Sequence, residues 1–317
     1  MNRYDVVVVG GGAAGLSAGL VLARARRTVA VVDAGSPRNA PAAHLQGFLS
    51  RDGLPPQDLL ALGRAEVTAY GGTLIDGTVA AAAPSAARTA FQVRLADGSV
   101  LTARRLLVAT GLHDVLPDIP GVRERWGRDL LHCPYCHGYE VRDQPLGVLG
   151  GTSEAVQHAQ LVRQWSSDVV LFPHTDALTA QQREQLAARE IRVVEGTVQQ
   201  LVVEDDKLSG VELHDGRVVR RAAVFVRPQF VPHTDLLVSL GCDLDDDGWV
   251  RSDAVGRTTV PGVSVAGNAA NPRAQVITAA GEGSSAAIAL NNDLVDDDVH
   301  AAVQRHATKE PPCPTTD

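Results

Sequence analysis

Two cysteines three positions apart are the residues of this chain whose types and spacing are best suited to chemistry. Residues 132–137 read His-Cys-Pro-Tyr-Cys-His and contain two of the four cysteines. A C-x-x-C beside a βαβ unit predicts a redox-active dithiol, since this spacing lets both sulfurs meet at a turn or first helical turn. The flanking His132 and His137 would favour the thiolate form of Cys133 and Cys136, and either imidazole could move a thiol proton near neutral pH.

A zinc site is the competing interpretation of the same motif. It would need a further pair of cysteines or histidines at suitable spacing, and histidines directly adjacent to the cysteines form a poor tetrahedral set. The other cysteines, Cys242 and Cys313, are isolated and distant in sequence. Cys242 is predicted to be a small apolar filler. Cys313 falls in a proline-rich tail, where a resolving role stays open. We therefore expect no metal.

If the cysteines exchange electrons with a nucleotide cofactor, another part of the chain must bind that cofactor. The N-terminal residues have the pattern of such a site. Residues 5–9 predict a buried parallel strand, and a glycine-rich turn and a helix follow. In such a turn the first glycine permits the tight bend, the second admits a pyrophosphate and the third lets helix and strand pack. The residues of this turn are Gly10, Gly12, Ala13, Ala14 and Gly15. A second strand, 28–33, ends in Asp33, 18 positions after Gly15, near the spacing expected for a ribose contact.

A second, altered copy of this unit begins 140 residues later, at Gly150. Thr152 replaces the middle glycine, and its Cβ would crowd a pyrophosphate although its hydroxyl could cap the helix. Glu154 puts a negative charge where a phosphate would sit. After the next strand, 169–172, we expect neither an acid for an NAD ribose nor an arginine for an NADP phosphate. A purely structural unit and a working NAD(P) site both stay open. Asp-Gly hairpins at 97–98 and 215–216 also repeat.

Two further segments end in small or polar residues at predicted strand ends. One contains Ala109, Thr110 and Gly111, and the other contains Gly267 and Asn268. A small-residue helix then begins near Gln275 and Val276 and is predicted to run to about residue 293. The N–H groups at its start could face an electron-accepting ring oxygen.

Length, charge and composition narrow the class of protein. At ~150 residues per domain, 317 residues suggest about two domains. Twenty-nine basic and 37 acidic residues give a net charge of −8, which argues against binding to nucleic acid or an anionic membrane. No stretch reaches the ~20 apolar residues of a membrane span, and the first apolar run is too short for a signal peptide, so a cytoplasmic location is expected.

Taken together, these motifs resemble the low-molecular-weight thioredoxin reductase branch of the pyridine nucleotide–disulfide oxidoreductases over roughly residues 3–300. The resemblance implies an α/β fold of two Rossmann-like, three-layer nucleotide-binding domains, the second inserted into the first. It implies an FAD-binding domain at 1–112 and 241–300, an inserted NAD(P)-binding-like domain with the redox C-x-x-C at 113–240, and a flexible tail at 301–317. It also implies a homodimer, with Cys136 facing the flavin and Cys133 exchanging with the substrate.

Several residues depart from the reductase pattern. His137 stands where reductases have Asp, Asn268 stands where their late strand ends in Asp, and 173–175 replaces their His-Arg-Arg cluster for the NADPH phosphate. Residues 132–140 instead resemble FAD-dependent dithiol oxidases that close disulfides in natural products such as gliotoxin and holomycin.

We therefore expect an FAD-dependent enzyme that oxidises a small-molecule dithiol through Cys133 and Cys136, with oxygen as electron acceptor and NADP(H) use doubtful. The alternatives are an NAD(P)H-dependent reductase of the thioredoxin reductase type, acting on a protein disulfide, and a non-catalytic flavin redox sensor.

Overall fold

The valine-rich run at the N terminus forms a central strand in the parallel part of a mixed sheet. The structure is a computed structural model that describes residues 2–86 and 89–307. In chain order the strands are β1 (Asn2–Val9), β2 (Val29–Asp33), β3 (Thr73–Asp76), β4 (Val79–Pro84), β5 (Phe91–Leu95), β6 (Val100–Val108), β7 (Leu112–Val115), β8 (Leu130–Leu131), β9 (Leu146–Leu149), β10 (Val169–Phe172), β11 (Arg192–Val193), β12 (Val198–Glu204), β13 (Lys207–Leu213), β14 (Val218–Arg220), β15 (Ala223–Val226), β16 (Gln229–Pro232) and β17 (Val263–Val265). The helices are α1 (Ala13–Arg24), α2 (Pro56–Ala69), α3 (Val122–Arg125), α4 (Pro134–His137), α5 (Ser153–Val162), α6 (Ala180–Ala188), α7 (Asp235–Ser239) and α8 (Val276–Ala307), with a 3-10 turn at Gly267–Ala269.

The described chain divides into two units. Unit 1 contains the described residues through Pro37, Asp58–Leu112 and those from Pro232 onward, and unit 2 contains Arg38–Gln57 and His113–Val231. Segment 38–57 thus belongs with unit 2, and the return to unit 1 comes at 232, whereas the sequence-based boundaries were 112 and 240. Two Rossmann-like units with the second inserted into the first are the architecture expected from the sequence.

Unit 1 is built on a seven-stranded sheet in the order β3-β2-β1-β6-β5-β4, with β17 beside β6. Strand β1 pairs in parallel with β2 and with β6. Its valines alternate between two cores: Val6 and Val8 pack with residues of α1 and α8, and Val7 and Val9 pack on the other face. Burial on both faces explains why the strand reads as a continuous apolar run.

Unit 2 repeats this plan around β9. Its parallel sheet has the order β11-β10-β9-β15-β8, and an antiparallel sheet of β12-β13-β14 accompanies it. Strand β7 pairs with β16 in a separate two-stranded sheet. Gly10 after β1 and Gly150 after β9 have φ angles of +110° and +117°, a left-handed conformation that L side chains rarely adopt. The matching turns support the internal repeat read from the sequence.

The last helix is longer than the sequence predicted. Helix α8 has 32 residues and ends at Ala307, not near residue 293, so 301–307 are helical and do not belong to a flexible tail. Leu290 and Leu294 bury one face of this helix, while acidic residues at 296–298 lie among apolar ones. This acidic run interrupts the helical pattern of apolar residues, so the sequence did not predict the last part of the helix. In the structure, Asp297 binds Arg105, and Asp298 binds both Arg104 and Arg27 of unit 1. Residues 308–317, including Cys313, lie outside the described residues. Within the described ranges, no helix has the length and apolar character needed to cross a bilayer.

Candidate active site

The C-x-x-C forms a single helical turn closed by a disulfide. Cys133 and Cys136 are bonded to each other, with their Cα atoms 5.2 Å apart. Cys133 is the N-cap of α4, and its carbonyl oxygen accepts hydrogen bonds from the backbone N–H groups of Cys136 and His137 at 3.1 Å each. Pro134 occupies the first helical position, where its ring presets φ and no N–H is missed. Both cysteines are half-buried.

His132 is held in one orientation by its surroundings. Strand β8 pairs in parallel with β15, placing Leu131 opposite Phe225. The next residues continue this register, and His132 Nδ1 lies 3.1 Å from the carbonyl oxygen of Val226. A carbonyl can only accept, so Nδ1 carries the hydrogen and Nε2 has the free lone pair. Burial lowers the pKa of His132, while the hydrogen bond to Val226 opposes part of that effect. The ring is therefore a neutral base near pH 7.

His137, the second candidate base, is less constrained. Burial lowers its pKa, and the carboxylate of Glu140 acts in the opposite direction. No hydrogen bond of its imidazole is present among the described residues, whereas the tautomer of His132 is set by Val226. The geometry thus fixes the tautomer of His132 and leaves that of His137 open.

Aromatic rings surround the disulfide turn. Tyr135, between the two cysteines, is 64% exposed and meets the ring of Trp165 edge to face, with the centroids 5.6 Å apart. A Cβ on Gly138 would lie 2.9 Å from Trp165, so glycine is needed for this close approach. The turn thus presents an apolar, aromatic surface beside the sulfurs.

In unit 1, the glycine-rich turn after β1 forms an open cradle. A Cβ at Gly15 would clash with the carbonyl oxygen of Gly10, so the helix can meet the strand only if this residue is glycine. At Gly12, by contrast, a Cβ would meet nothing within 4 Å. Gly12 is also the N-cap of α1 and makes no side-chain cap, and the first turn contains no acid. The N–H groups of Ala13, Ala14 and Gly15 are therefore available to a phosphate.

Asp33 lies where a ribose contact is expected. Its carboxylate packs against Gly11, at the point where a Cβ would clash. Oδ1 accepts from the Gly35 N–H and Oδ2 accepts from Arg64 Nη1, both at 3.0 Å. Arg64 also binds Asp76, at 2.5 Å. Sequence reasoning missed Arg64, which orients the carboxylate from helix α2.

The late segments of unit 1 close around the same turn. A Cβ on Gly10 would collide with the carbonyl of Ala109, and the hydroxyl of Thr110 donates to the carbonyl of His233 at 3.0 Å. Gly111 has a φ of +71°. A Cβ on Gly267 would lie 3.0 Å from the Cβ of Ala14, and one on Gly283 of α8 would clash with the Ala14 carbonyl. Three sequence-distant segments, around Ala109, Gly267 and Gly283, therefore meet the glycine-rich turn at the start of α1.

Asn268 is held by two carbonyl groups. Its Nδ2 donates to the carbonyl oxygens of Asn271, at 2.9 Å, and Ala274, at 3.1 Å. This leaves Oδ1 as the group that could accept from a ligand hydroxyl. Gln275 and Val276 follow at the start of α8, where the Gln275 carbonyl accepts from the Ala279 N–H.

Glu282 is a further organising residue that the sequence did not reveal. Its carboxylate accepts from the Gly267 N–H at 2.9 Å and from Asn271 Nδ2 at 2.6 Å. It joins α8 to the 3-10 turn that carries Asn268. In the sequence, the only indication of this role was an acidic residue within a helix rich in small residues.

The equivalent cradle in unit 2 is filled by the protein's own groups. The hydroxyl of Thr152 caps α5 by accepting from the Ala155 N–H at 3.2 Å. The backbone N–H of Glu154 and the hydroxyls of Thr152 and Ser153 lower the pKa of the Glu154 carboxyl. Asp176 accepts from the Gly151 N–H at 2.8 Å. No such side chains occupy the N-cap of α1.

The expectation that no acid follows β10 is wrong in three dimensions. The segment after the strand turns back, with His174 at a φ of +61° and the Asp176 N–H bonded to the Pro173 carbonyl. This turn delivers Asp176 to Gly151, much as Asp33 is delivered to Gly11. Asp176 lies 21 positions after Ala155, near the spacing expected for a ribose contact, but it follows the strand end by four residues, so an inspection of residues 173–175 did not reveal it.

Cys242 is remote from this chemistry. It is 6% exposed within the apolar core of unit 1, and burial raises the pKa of its thiol. Its role as a core filler is thus confirmed. Within residues 2–86 and 89–307, no group of three or more His, Cys, Asp or Glu side chains is arranged to hold a metal ion.

Comparison with known proteins gives a consistent result. The family described as pyridine nucleotide-disulphide oxidoreductase matches residues 4–283. Thioredoxin reductase sirT from Leptosphaeria maculans is 30% identical, over 94% of this chain and 96% of that protein. The crystal structure of HlmI is 59% identical with a TM-score of 0.93, covering 96% of each chain. The structure of the oxidoreductase from Agrobacterium tumefaciens is 35% identical with a TM-score of 0.87, covering 92% of this chain and 99% of that one.

Proposed function

Because the chain belongs to the pyridine nucleotide-disulphide oxidoreductase family, we propose that it is an FAD-dependent oxidase that closes a disulfide in a small-molecule dithiol, with oxygen as electron acceptor. The enzyme class follows from the family, whose thioredoxin reductase-type members include the relatives above. What we propose beyond the family is the direction of electron flow, from the substrate dithiol to oxygen. A cytoplasmic location stays a prediction.

One observation carries this direction: unit 2 fills its own nucleotide cradle, whereas unit 1 leaves its cradle open. Thr152 and Asp176 take up N–H groups in the turn that would bind a nicotinamide dinucleotide. Asp176 would also repel the 2′-phosphate of NADPH. Because the N–H groups of Gly151 and Ala155 are already bonded, we infer that the thiol substrate, and not a nicotinamide, supplies the electrons. The reductase alternative is favoured only by the relatives that are named thioredoxin reductases.

The residues of unit 1 fit FAD. The turn from Gly12 to Gly15 would bind the pyrophosphate, Asp33 would accept from the ribose hydroxyls, and Asn268 Oδ1 would accept from the ribityl chain. Bound there, FAD would supply a two-electron acceptor for the enzyme dithiol, one that oxygen can reoxidise with formation of hydrogen peroxide.

The thiol exchange itself needs only the residues of unit 2. A substrate thiolate attacks Cys133 Sγ, breaks the bond to Cys136 and forms a mixed disulfide. The second substrate thiolate then attacks the substrate sulfur of that bond, which closes the product disulfide and releases the Cys133 thiolate. The substrate loses two electrons and two protons, and Cys133 and Cys136 gain the electrons. His132 accepts the proton of each substrate thiol in turn on Nε2, because Nδ1 is engaged by Val226, and returns it to the Cys136 or Cys133 thiolate released in that step.

We further propose that two copies of the chain associate through α8. Exposed apolar side chains recur on one face of this helix, with exposed fractions between 39% and 63%: Ile277, Ile288, Val295, Val299 and Val303. A stripe of this kind over 32 residues, about 48 Å, favours an apolar partner surface. Light scattering should report a dimer, and Val295→Asp with Val299→Asp should give a monomer. A wild-type monomer would exclude this assembly.

Anaerobic mixing tests the electron source. FAD-loaded protein is mixed with dithiothreitol, NADPH or NADH, and the flavin band near about 450 nm is followed. Bleaching by the dithiol alone, with peroxide formed when air is admitted, is expected. Rapid bleaching by NADPH would favour the reductase function over the oxidase function. No bleaching by any donor would favour the redox sensor.

Cysteine variants test whether electrons pass through the Cys133–Cys136 disulfide. Cys133→Ser and Cys136→Ser should each abolish bleaching by dithiothreitol. The matched control is Cys242→Ala, which removes a thiol buried in unit 1 and should leave the bleaching rate unchanged. Normal bleaching in Cys136→Ser would show that electrons bypass the disulfide.

A further inference from the structure

Arg38 forms a two-pronged ion pair within unit 2 that the thiol exchange does not use. Its Nε and Nη2 donate to the two carboxylate oxygens of Asp114, at 2.7 Å and 2.6 Å. Asp114 lies on β7, and its side chain is only 7% exposed. A carboxylate so far removed from water needs a cationic partner. That need explains a positive charge here, but it does not explain where the rest of the guanidinium is placed.

The same guanidinium packs on a ring that contacts His132. Its central carbon lies 5.0 Å from the centre of the Phe230 ring. Phe230 also meets the His132 ring edge to face, with the centroids 5.1 Å apart. Charges interact more strongly where packed rings take the place of water, because the effective dielectric constant is lower. Arg38 and His132 therefore influence each other across one shared apolar contact.

The two members of the ion pair act on His132 in opposite directions. Arg38 lowers the pKa of His132 and Asp114 raises it, although burial of the ring has the largest effect. Arg227, which follows β15, also lowers this pKa. His158 of α5 lies 5.6 Å from the His132 ring and is kept uncharged near neutral pH by burial. Without Arg38, the carboxylate of Asp114 would therefore favour an imidazolium at His132, and that form cannot accept a proton.

We propose that Arg38 is a positioning residue for His132: by pairing with Asp114 and packing on Phe230, it offsets a carboxylate that would favour the imidazolium, and so keeps Nε2 able to accept a thiol proton. This inference rests on the proposed role of His132 in the thiol exchange. Arginine suits the task because its planar group binds both oxygens of Asp114 while its face lies on the ring, which a lysine cannot do at once. Arg38 itself transfers no proton, since a guanidinium stays charged.

Charge-removing variants on the two sides of the ion pair test this role. The His132 ring signal, assigned with His132→Gln, is titrated by NMR in FAD-loaded protein with the disulfide closed. Arg38→Gln should raise the titration midpoint by about 0.5–1 pH unit, because Asp114 then acts alone. Asp114→Asn should lower the midpoint, because Arg38 then acts alone. The double variant Arg38→Gln with Asp114→Asn should titrate close to the wild type.

The signs of these shifts separate the proposed role from a purely structural ion pair, which would disturb the packing of His132 alike from either side. Shifts of the same sign in the two single variants, or no shift in Arg38→Gln, would overturn the proposal. If Arg38→Gln does not fold, the double variant should still titrate above Asp114→Asn, and equal midpoints would overturn the proposal. Arg183→Gln is the matched control, since it removes an arginine paired with Glu195 on the surface of unit 2 and should leave the midpoint unchanged.

The pH dependence of anaerobic bleaching by dithiothreitol connects the titration to catalysis. Below the midpoint, bleaching of Arg38→Gln should be about three- to tenfold slower than that of the wild type, in proportion to the lost neutral His132. An unchanged pH profile beside a shifted NMR midpoint would overturn the link to proton transfer. The NMR titration needs neither substrate nor electron flow, so a failure of the oxidase proposal, seen as no bleaching of the wild type by the dithiol, would be recognised separately.

Discussion

The carboxylate of Asp176 accepts a hydrogen bond of 2.8 Å from the backbone N–H of Gly151, at the turn where a nicotinamide dinucleotide would approach unit 2. In unit 1, Asp33 packs against the equivalent Gly11 but is oriented by Arg64 and Gly35. The two acids thus hold similar places in the repeat. Only the first leaves its glycine-rich turn open to a ligand.

Asp176 is expected to support the fold of unit 2 without serving a nucleotide. Asp176→Ala should lower the free energy of unfolding by about 0.5–1.5 kcal/mol, the net value of one hydrogen bond, since the residue is exposed. Asp176→Asn keeps an acceptor and should lose less. Millimolar NADPH should leave the wild-type unfolding midpoint unchanged, because a ligand that binds only the folded state would raise it. A rise in the unfolding midpoint with NADPH would instead show that the folded protein binds this nucleotide.

Two glycines on α8 should respond in opposite ways to the same substitution. Gly283→Ala places a methyl group on the backbone of Ala14, so the helix must move and FAD should be lost on gel filtration, with a cost of about 1–3 kcal/mol. A Cβ on Gly281 meets nothing within 4 Å, and Gly281→Ala should stabilise the helix by about 0.5–1 kcal/mol. Equal flavin content in the two variants would contradict the role given to the α1–α8 contact.

Asn268→Asp should impair unit 1, although reductases of this type end the corresponding strand in Asp. The Nδ2 of Asn268 donates to two carbonyls, and a carboxylate oxygen in its place would be repelled by both. We expect a loss of about 1–3 kcal/mol in the free energy of unfolding, together with weaker FAD retention. Asn271→Asp, which disturbs the neighbouring contact to Glu282, is a useful comparison. Unaltered stability of Asn268→Asp would show that the loop reorganises at little cost.

Stability should depend on pH through His158. Its folded pKa of about 4 lies below the unfolded value of 6.5, so the unfolded chain binds more protons between these pH values. Its contribution is complete above about pH 6.5 and is lost as pH falls toward 4, by roughly 3 kcal/mol in total. Burial also lowers the pKa values of His132 and His137, which adds in the same direction.

Urea unfolding at a series of pH values checks this dependence. His158→Phe should flatten the profile between pH 6.5 and 4 and leave the smaller contributions of His132 and His137. A profile as steep as that of the wild type would mean that His158 is protonated in the folded protein.

Local patterns in the sequence were enough to predict the two Rossmann-like units, the glycine-rich turns and the close approach of the two cysteines of the C-x-x-C. Each of these is encoded within a short stretch, such as 5–15 or 132–137, where spacing directly determines backbone conformation. The internal repeat also followed, because Gly10 and Gly150 begin equivalent turns. The length of α8 did not follow, since the partners of Asp297 and Asp298 lie nearly 200 or more positions away in sequence.

Only the tertiary structure decided which groups surround the chemistry. The parallel pairing of β8 with β15 places Val226 against His132, and this contact selects the tautomer that spacing left open. The turn after β10 returns Asp176 to Gly151, and the packing of α5 buries His158 beside His132. These contacts join residues 25 to 94 positions apart, and no periodicity encodes them. The sequence by itself determined the C-x-x-C turn and the two glycine-rich turns, while the tertiary structure decided the tautomer of His132 and which glycine-rich turn is bonded to an acid of its own unit, because both depend on long-range packing.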